Sequence, residues 1–240
     1  MNYNWDWGIL FRDPYAGWIL DGLGWTLVIS LLAWVIAFTL GSILGVFRTT
    51  SSPVLRVIGT SYVELFRNIP ILVQLFLWYF VFPELLPDDW GRWVKRDMPA
   101  PALTTAIVAL GLYTASRVCE QVRSGIEAVG VGQRQAGRAI GMTELQVYRY
   151  ILLPNAYRII IPPLTSEFLT IFKQSSLALT IGVVELTAMT RQIEEYTFQG
   201  FEAFTAATIV YSLVTFTVMM LMRIVDKRTA LPGTFSHGAS

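Results

Sequence analysis

The sequence predicts an all-α integral membrane protein with about five transmembrane helices, and three observations carry that prediction. Hydrophobic residues make up 54% of the 240 positions and charged residues 15%, with a mean hydropathy of +0.52. A soluble domain carries about 25% charged residues, so the deficit points to lipid. Apolar runs long enough to cross a hydrocarbon core of about 30 Å, roughly 20 residues as helix, recur along the chain. Trp5, Trp7 and Trp18 cluster at the start, where aromatic rings suit a membrane-water boundary. The length fits one or at most two domains, and the chain reads as a single transmembrane domain over residues 1–240.

The opening "MNYNWDWGILFRDP" has no basic segment before an apolar core, so no cleavable signal peptide is expected. Residues 23–47 hold no charge and form the clearest span. Residues 54–83 form a second, interrupted by Glu64 and Arg67, and residues 101–125 a third, apolar until Arg117. The fourth, 162–184, starts at a Pro pair suited to a first helical turn. The fifth, 203–222, is uncharged throughout. An odd number of spans places the termini on opposite sides. With the C-terminus cytoplasmic, the inside segments hold ten cations (Arg48, Arg56, Arg123, Arg134, Arg138, Arg149, Arg158, Arg223, Lys227, Arg228). The outside segments hold five (Arg12, Arg92, Lys95, Arg96, Arg191). The basic excess therefore puts the N-terminus outside and the loop 127–158 in the cytoplasm.

Several function classes drop out. A net charge of +1 gives no reason to expect nucleic acid. One cysteine, Cys119, and one histidine, His237, cannot build a metal site, and no catalytic cluster of His, Cys and Asp is visible. A phosphate-binding loop needs Gly-Lys followed by Ser or Thr. The only lysines, Lys95, Lys173 and Lys227, follow Val, Phe and Asp. The chain is expected to be non-catalytic, without a cofactor of its own.

The loop is the most regular polar stretch. Residues 132–140 fit a short helix, Gly141 allows a turn that a residue with a Cβ resists, and Thr143 with Gln146 makes a capping box for a second helix. Pro154 is expected to end that helix, because proline lacks the N–H needed to continue it. Four arginines against two glutamates give residues 127–158 a net charge of +2. On pattern alone this could be a positive-inside loop that happens to be helical.

The spacing resembles that of bacterial ABC importer permeases, whose cytoplasmic loops carry Glu-Ala-Ala, three residues, Gly, nine residues, then Ile-x-Leu-Pro. Here Gln135, Ala136 and Gly137 are followed by three residues to Gly141, and nine more lead to Ile151, Leu152, Leu153 and Pro154. Gln135 replaces the Glu and Gly137 the second Ala, removing one carboxylate that could make a charge-assisted contact. "YVELFRNIPILVQLF" (62–76), "EQVRSGI" (120–126) and "FKQSSLALTIGVVEL" (172–186) also resemble segments of polar amino-acid permeases, most closely the glutamate/aspartate branch. The resemblance covers nearly the whole chain.

It implies a type I ABC importer permease fold in the bacterial inner membrane, with Gln135, Ala136, Gly137, Gly141, Leu153 and Pro154 docking a separate ATPase. It further implies two nucleotide-binding subunits that hold ATP and Mg, a second permease chain (homologous or identical), and a periplasmic amino-acid-binding protein. A membrane scaffold or sensor that docks a soluble partner without transport is the other class the loop allows.

Charged residues inside spans are functional candidates. Arg117, Glu120, Arg123 and Glu127 step by three or four residues, forming one helix stripe, and Glu64 can pair with Arg67. Glu167 and Lys173 lie about 240° apart around a helix and should not pair with each other. Glu64, Arg67 and Glu120 read either as internal ion pairs or as part of a substrate pathway. Lys173 has a counterpart in relatives with other substrates, which favours a structural or gating role. Arg117 stands where the family commonly has Tyr. It is expected either to pair with Glu120 or to meet a substrate carboxylate through its two parallel donors. Gly41-xxx-Gly45 fits close helix approach, and Trp78, Tyr79 and Trp90 read as an outer aromatic belt.

Overall fold

The computed structural model describes residues 3–229, with backbone alone for 227–229; His237 lies outside the described residues. All regular elements there are helical. In chain order they are α1 (Tyr15–Thr49), α2 (Pro53–Asn68), α3 (Ile71–Phe76), α4 (Phe82–Leu85), α5 (Asp88–Arg92) and α6 (Pro101–Ala128). Then follow α7 (Val131–Ala139), α8 (Glu144–Val147), α9 (Leu153–Gln174), α10 (Leu186–Thr197) and α11 (Gly200–Thr229). Three of these, α1, α6 and α11, are long and apolar enough to cross a membrane, and two bent pairs bring the total to as many as five.

Small residues set the central packing. The buried positions of α1 include Ile29, Ala33, Ala37, Gly41 and Gly45, four residues apart and therefore on one face. That face lies against α6. A Cβ at Gly41 would stand 2.7 Å from the Ala115 carbonyl oxygen and the Val118 Cβ, and one at Gly45 2.7 Å from the Val122 Cβ. Lipid offers no hydrophobic drive between helices, so such backbone-to-backbone approach supplies the dispersion that holds them together. The expected close approach at these two glycines is realised.

The second span departs from expectation. Residues 54–83 do not form one rod: the chain turns by 100° between α2 and the helical segment that begins at Ile71. Steric conflict with Pro70 keeps Ile69 extended, with φ −100° and ψ 127°. The Gln74 amide then donates to the Phe66 and Ile69 carbonyls at 2.7 and 2.9 Å, satisfying acceptors that the turn leaves open.

The fourth span starts earlier than predicted. Pro154 does not end the helix, and Pro162 and Pro163 lie inside α9 rather than at its start. A π-helical turn over Tyr148–Leu152, in which Leu153 donates to the Tyr148 carbonyl, joins α8 to α9, and Pro154 falls in the first turn of α9, where no N–H is needed. The helix ends in a 3₁₀ segment, Ser175–Ile181, and at Gly182, whose φ of +85° turns the chain by 52° into α10.

Aromatic placement is mixed. Trp78 and Tyr79 are half-buried and pack against the core. Trp90 is exposed at the surface, and Trp5 stacks on Trp7 with ring centres 5.9 Å apart.

Candidate functional site

The loop between α6 and α9 is built around one glycine. α7 ends with the Met142 amide donating to Gly137 at 3.1 Å and the Gly141 amide to Arg138 at 3.0 Å. This is the paired closure of a Schellman motif, which needs a left-handed residue just past the helix, and Gly141 has φ +85°. The chain then enters α8 through the expected capping box. Gln146 donates its amide to Thr143 Oγ1 at 3.3 Å, and Thr143 donates its amide to Gln146 Oε1 at 2.8 Å. Gly137 is buried where α7 meets the following helix, and a Cβ there would come within 2.7 Å of Ile151 Cδ1 and 3.1 Å of Val147 Cγ2. The glycine thus lets α7 lie close to the root of α9.

The opposite side of the loop is open. Gln135, Ala136, Gly141 and Pro154 are exposed, and Leu153 is half-buried. Around them Val131, Ile140 and Leu145 are 70%, 75% and 76% exposed. Arg134 and Arg138 both bind Glu144, which ties α7 to α8 across the turn.

The charges of α6 form two separate groups. Arg123 bridges Glu120 at 3.1 Å and Glu127 at 2.6 Å, and Glu120 also binds Arg48 from α1. The expected Arg117–Glu120 pair is not formed. Arg117 Nε instead donates to Glu167 Oε2 on α9 at 2.6 Å, while Glu120 is taken by Arg48 of α1 and by Arg123. Glu167 is buried, whereas the Arg117 side chain is 39% exposed. The bond uses Nε, and Tyr113 also interacts with the guanidinium. Glu64, Arg67 and Lys173 are exposed, and no ion pair among the described residues includes them. Glu64 and Arg67 therefore do not pair as expected.

Sequence reasoning missed Arg48 as the partner of Glu120 and Glu167 as that of Arg117. It also missed Glu185, a fully buried carboxylate that caps α10 by accepting from the Thr187 and Ala188 amides at 3.0 and 2.9 Å. The Tyr211 hydroxyl donates to it at 3.0 Å. The signal for this cap is a lone Glu after "IGVV", three residues past the turn at Gly182.

Residues 37–231 match the model of a family described as "Binding-protein-dependent transport system inner membrane component". The chain belongs to this permease family. A relative from Escherichia coli strain K12, the glutamate/aspartate import permease protein GltJ, is 44% identical over 97% of this chain and 98% of its own. The glutamate/aspartate import permease protein GltK of E. coli O6:H1 is 30% identical over 95% of this chain and 100% of its own. A crystal structure of an amino acid ABC transporter with histidines superposes with a TM-score of 0.78 at 29% identity, covering 95% of this chain and all of that one. The MetNI methionine transporter shares the fold with a TM-score of 0.75 at 19% identity, over 92% of this chain and all of the other. This member of the permease family is thus a multi-pass inner-membrane subunit of an amino-acid ABC transporter, with the type I permease fold.

Proposed function

We propose that the chain forms half of the translocation pathway of an ATP-driven importer for glutamate and aspartate, and that the loop 135–154 couples it to a separate ATPase. The observation that carries the coupling reading is the exposed apolar surface of Val131, Ile140 and Leu145, held around a capped turn on a polar loop. Apolar side chains grouped on an otherwise polar loop suit a protein partner. The loop lies in the cytoplasm in this reading, with the N-terminus outside, as the basic excess favours. Its partners are two ATPase subunits that hold ATP and Mg, a second permease chain of the same family and a periplasmic amino-acid-binding protein. The likeness to GltJ and GltK supports that assembly and the acidic substrate.

Within the pathway, Arg117 is the residue that meets a substrate carboxylate. Its Nε is held by Glu167, so the guanidinium is fixed in place while 39% of the side chain stays exposed. A fixed planar cation in a low-dielectric cavity recognises a carboxylate through two parallel donors. Glu120 belongs to the Arg48–Arg123 network that joins α1 to α6 and supports the pathway without touching substrate. Lys173, Glu64 and Arg67 present exposed charges that a partner chain or water must meet.

Uptake of labelled glutamate, aspartate and glutamine in a strain lacking this chain, restored by the wild-type gene, tests the proposal. Restored uptake of the two acidic amino acids together with co-purification of an ATPase subunit is expected. Restoration of glutamine uptake alone would refute the acidic substrate, and purification without any ATPase would refute the coupling role.

A further inference from the structure

Three guanidinium groups, those of Arg48, Arg56 and Arg134, line a cavity of about 500 Å³ at the end of the bundle that carries the loop. Three elements contribute them: the last turn of α1, the first turn of α2 and the body of α7. The only carboxylate in the lining, Glu127, is already held by Arg123 at 2.6 and 2.8 Å. Arg48 is met by Glu120, and Arg134 by Glu144, but each of those glutamates also serves a second arginine, Arg123 or Arg138. The cluster thus sets five arginines against three glutamates and keeps an excess of two positive charges. Among the described residues Arg56 makes no carboxylate contact, and its Nη2 donates to the Thr50 carbonyl at 3.2 Å. Arg134 Nε is buried with no hydrogen-bond partner among the described residues. Gly130 and Val131, at the N-terminus of α7, complete the rim, and the helix dipole there adds to the positive field.

The surroundings of Arg56 decide which anion fits. On the same helix, Val54, Val57 and Ile58 are 66%, 63% and 48% exposed and form an apolar face that favours hydrocarbon, on the side of α2 turned away from Arg56. The uncharged run 23–47 ends one residue before Arg48, which places the cavity at the membrane boundary. A ligand for this site therefore joins a phosphate to acyl chains. We propose that the cavity binds the phosphate of an anionic phospholipid, whose chains enter the hydrocarbon beside the bundle at this boundary. Basic pockets between helices at a membrane boundary hold such headgroups, and the volume lies within the roughly 300–1,000 Å³ typical of ligand sites.

The test needs no transport activity, so its failure is separable from failure of the importer reading. The full chain, purified in detergent, is offered phosphatidylglycerol, phosphatidylcholine or inorganic phosphate, and retained lipid is counted by native mass spectrometry. Phosphatidylglycerol is expected to be retained over phosphatidylcholine. One arginine near an anionic headgroup is worth a factor of roughly five in affinity, so Arg56→Gln should weaken phosphatidylglycerol binding by about that factor. Arg56→Lys, which keeps the charge, should weaken it by less. Arg191→Gln removes a cation at the opposite end, where α10 packs on α1 beside Gly22, and should leave binding unchanged. Melting temperature in detergent confirms that each variant is folded, and Arg56, bonded to a backbone carbonyl and to no carboxylate among the described residues, is replaceable without collapse. Equal retention of the two lipids, or equal loss in Arg56→Gln and Arg191→Gln, would overturn the site. Displacement of phosphatidylglycerol by millimolar inorganic phosphate would assign the cavity to a soluble anion and overturn the lipid reading. So would loss of lipid on adding the ATPase subunit, which would give the cavity to an acidic side chain of that protein.

Discussion

Glycine does opposite work in the α1–α6 seam and in the turn between α7 and α8. At Gly41 the backbone conformation is ordinary, but the space is taken by the Ala115 carbonyl and Val118 at 2.7 Å. At Gly141 nothing lies within 4 Å of where a Cβ would stand, yet φ is +85°. One glycine is needed for its missing volume and the other for its missing steric bar. The seam builds the bundle; the turn only aims a surface. Substitutions at the two sites should therefore fail differently.

The largest effect is expected at the seam. Gly41→Val places three carbons against a backbone oxygen and a β-branched side chain, neither of which can swing aside. Overpacking of this kind costs about 1–3 kcal/mol in well-filled cores, and here the closest atom is backbone, which argues for the upper end. The amount of membrane-inserted protein should fall sharply, and what remains should melt at lower temperature in detergent. Wild-type levels and melting would show that the helices are not in contact at Gly41.

The turn should break function while sparing the fold. Gly141→Val forces a β-branched residue into the left-handed region, at a cost of roughly 1–2 kcal/mol or more, and the Schellman closure at Gly137 and Arg138 loosens. Membrane protein should stay near normal, with uptake and substrate-stimulated ATP hydrolysis falling together. Gly141→Asn, which tolerates this backbone, should retain most of both. Normal uptake in a stably inserted Gly141→Val variant would disprove the coupling role of the turn.

A third substitution moves the comparison to the two charge groups of α6. Arg123, Glu120 and Arg48 satisfy one another, whereas Arg117 is paired with Glu167 and its side chain stays 39% exposed. Loss of a hydrogen bond to a charged group costs about 1.5–3 kcal/mol, so Arg117→Tyr should lower glutamate and aspartate uptake by roughly 10- to 100-fold. Glutamine uptake, where the binding protein delivers it, should change little. Because the change also leaves Glu167 buried without its cation, Arg117→Tyr combined with Glu167→Gln is the necessary companion. Equal loss for acidic and neutral substrates at normal protein level would remove Arg117 as the selector.

What the sequence revealed divides along the same line. Features set by neighbours in the chain were legible: the uncharged run inside α1, the Thr143–Gln146 capping box, the Gly141 turn and the small-residue spacing of Gly41 and Gly45. Features set by direction or by distant partners were not. Hydropathy over 54–83 reports how apolar a segment is, not that Pro70 turns it by 100°. Pro154 looked like a stop because the π-turn that excuses its missing N–H depends on packing of Tyr148 and Leu152 into the core. The partners of Arg117 and Glu120 lie 50 and 72 residues away, beyond any helical spacing rule. Pairing by spacing therefore succeeded only for Arg123, whose partners are three and four residues off.

The smallest expected effect is at Gln135, and it sharpens the distinction between holding and aiming. Gln135 is exposed on the outer side of α7, next to Ala136 and away from Gly137, which faces the root of α9. Gln135→Glu adds a carboxylate at the middle of α7, past the first turn in which the helix dipole acts. No lipid desolvation opposes it, and Arg134 and Arg138 lie on the same helix. Fold and insertion should be unchanged. Coupling to the chain's own ATPase should stay within about twofold, since surface substitutions of this kind fall within ±0.5 kcal/mol. With an ATPase whose natural permease carries Glu at this position, stimulated hydrolysis should rise, because a carboxylate makes a stronger, charge-assisted hydrogen bond than the glutamine amide oxygen. A Gln135→Glu protein that inserts normally but no longer retains any ATPase on purification would mean that this face of α7 is not the docking surface, and the exposed Leu145 side of the loop would have to take that role.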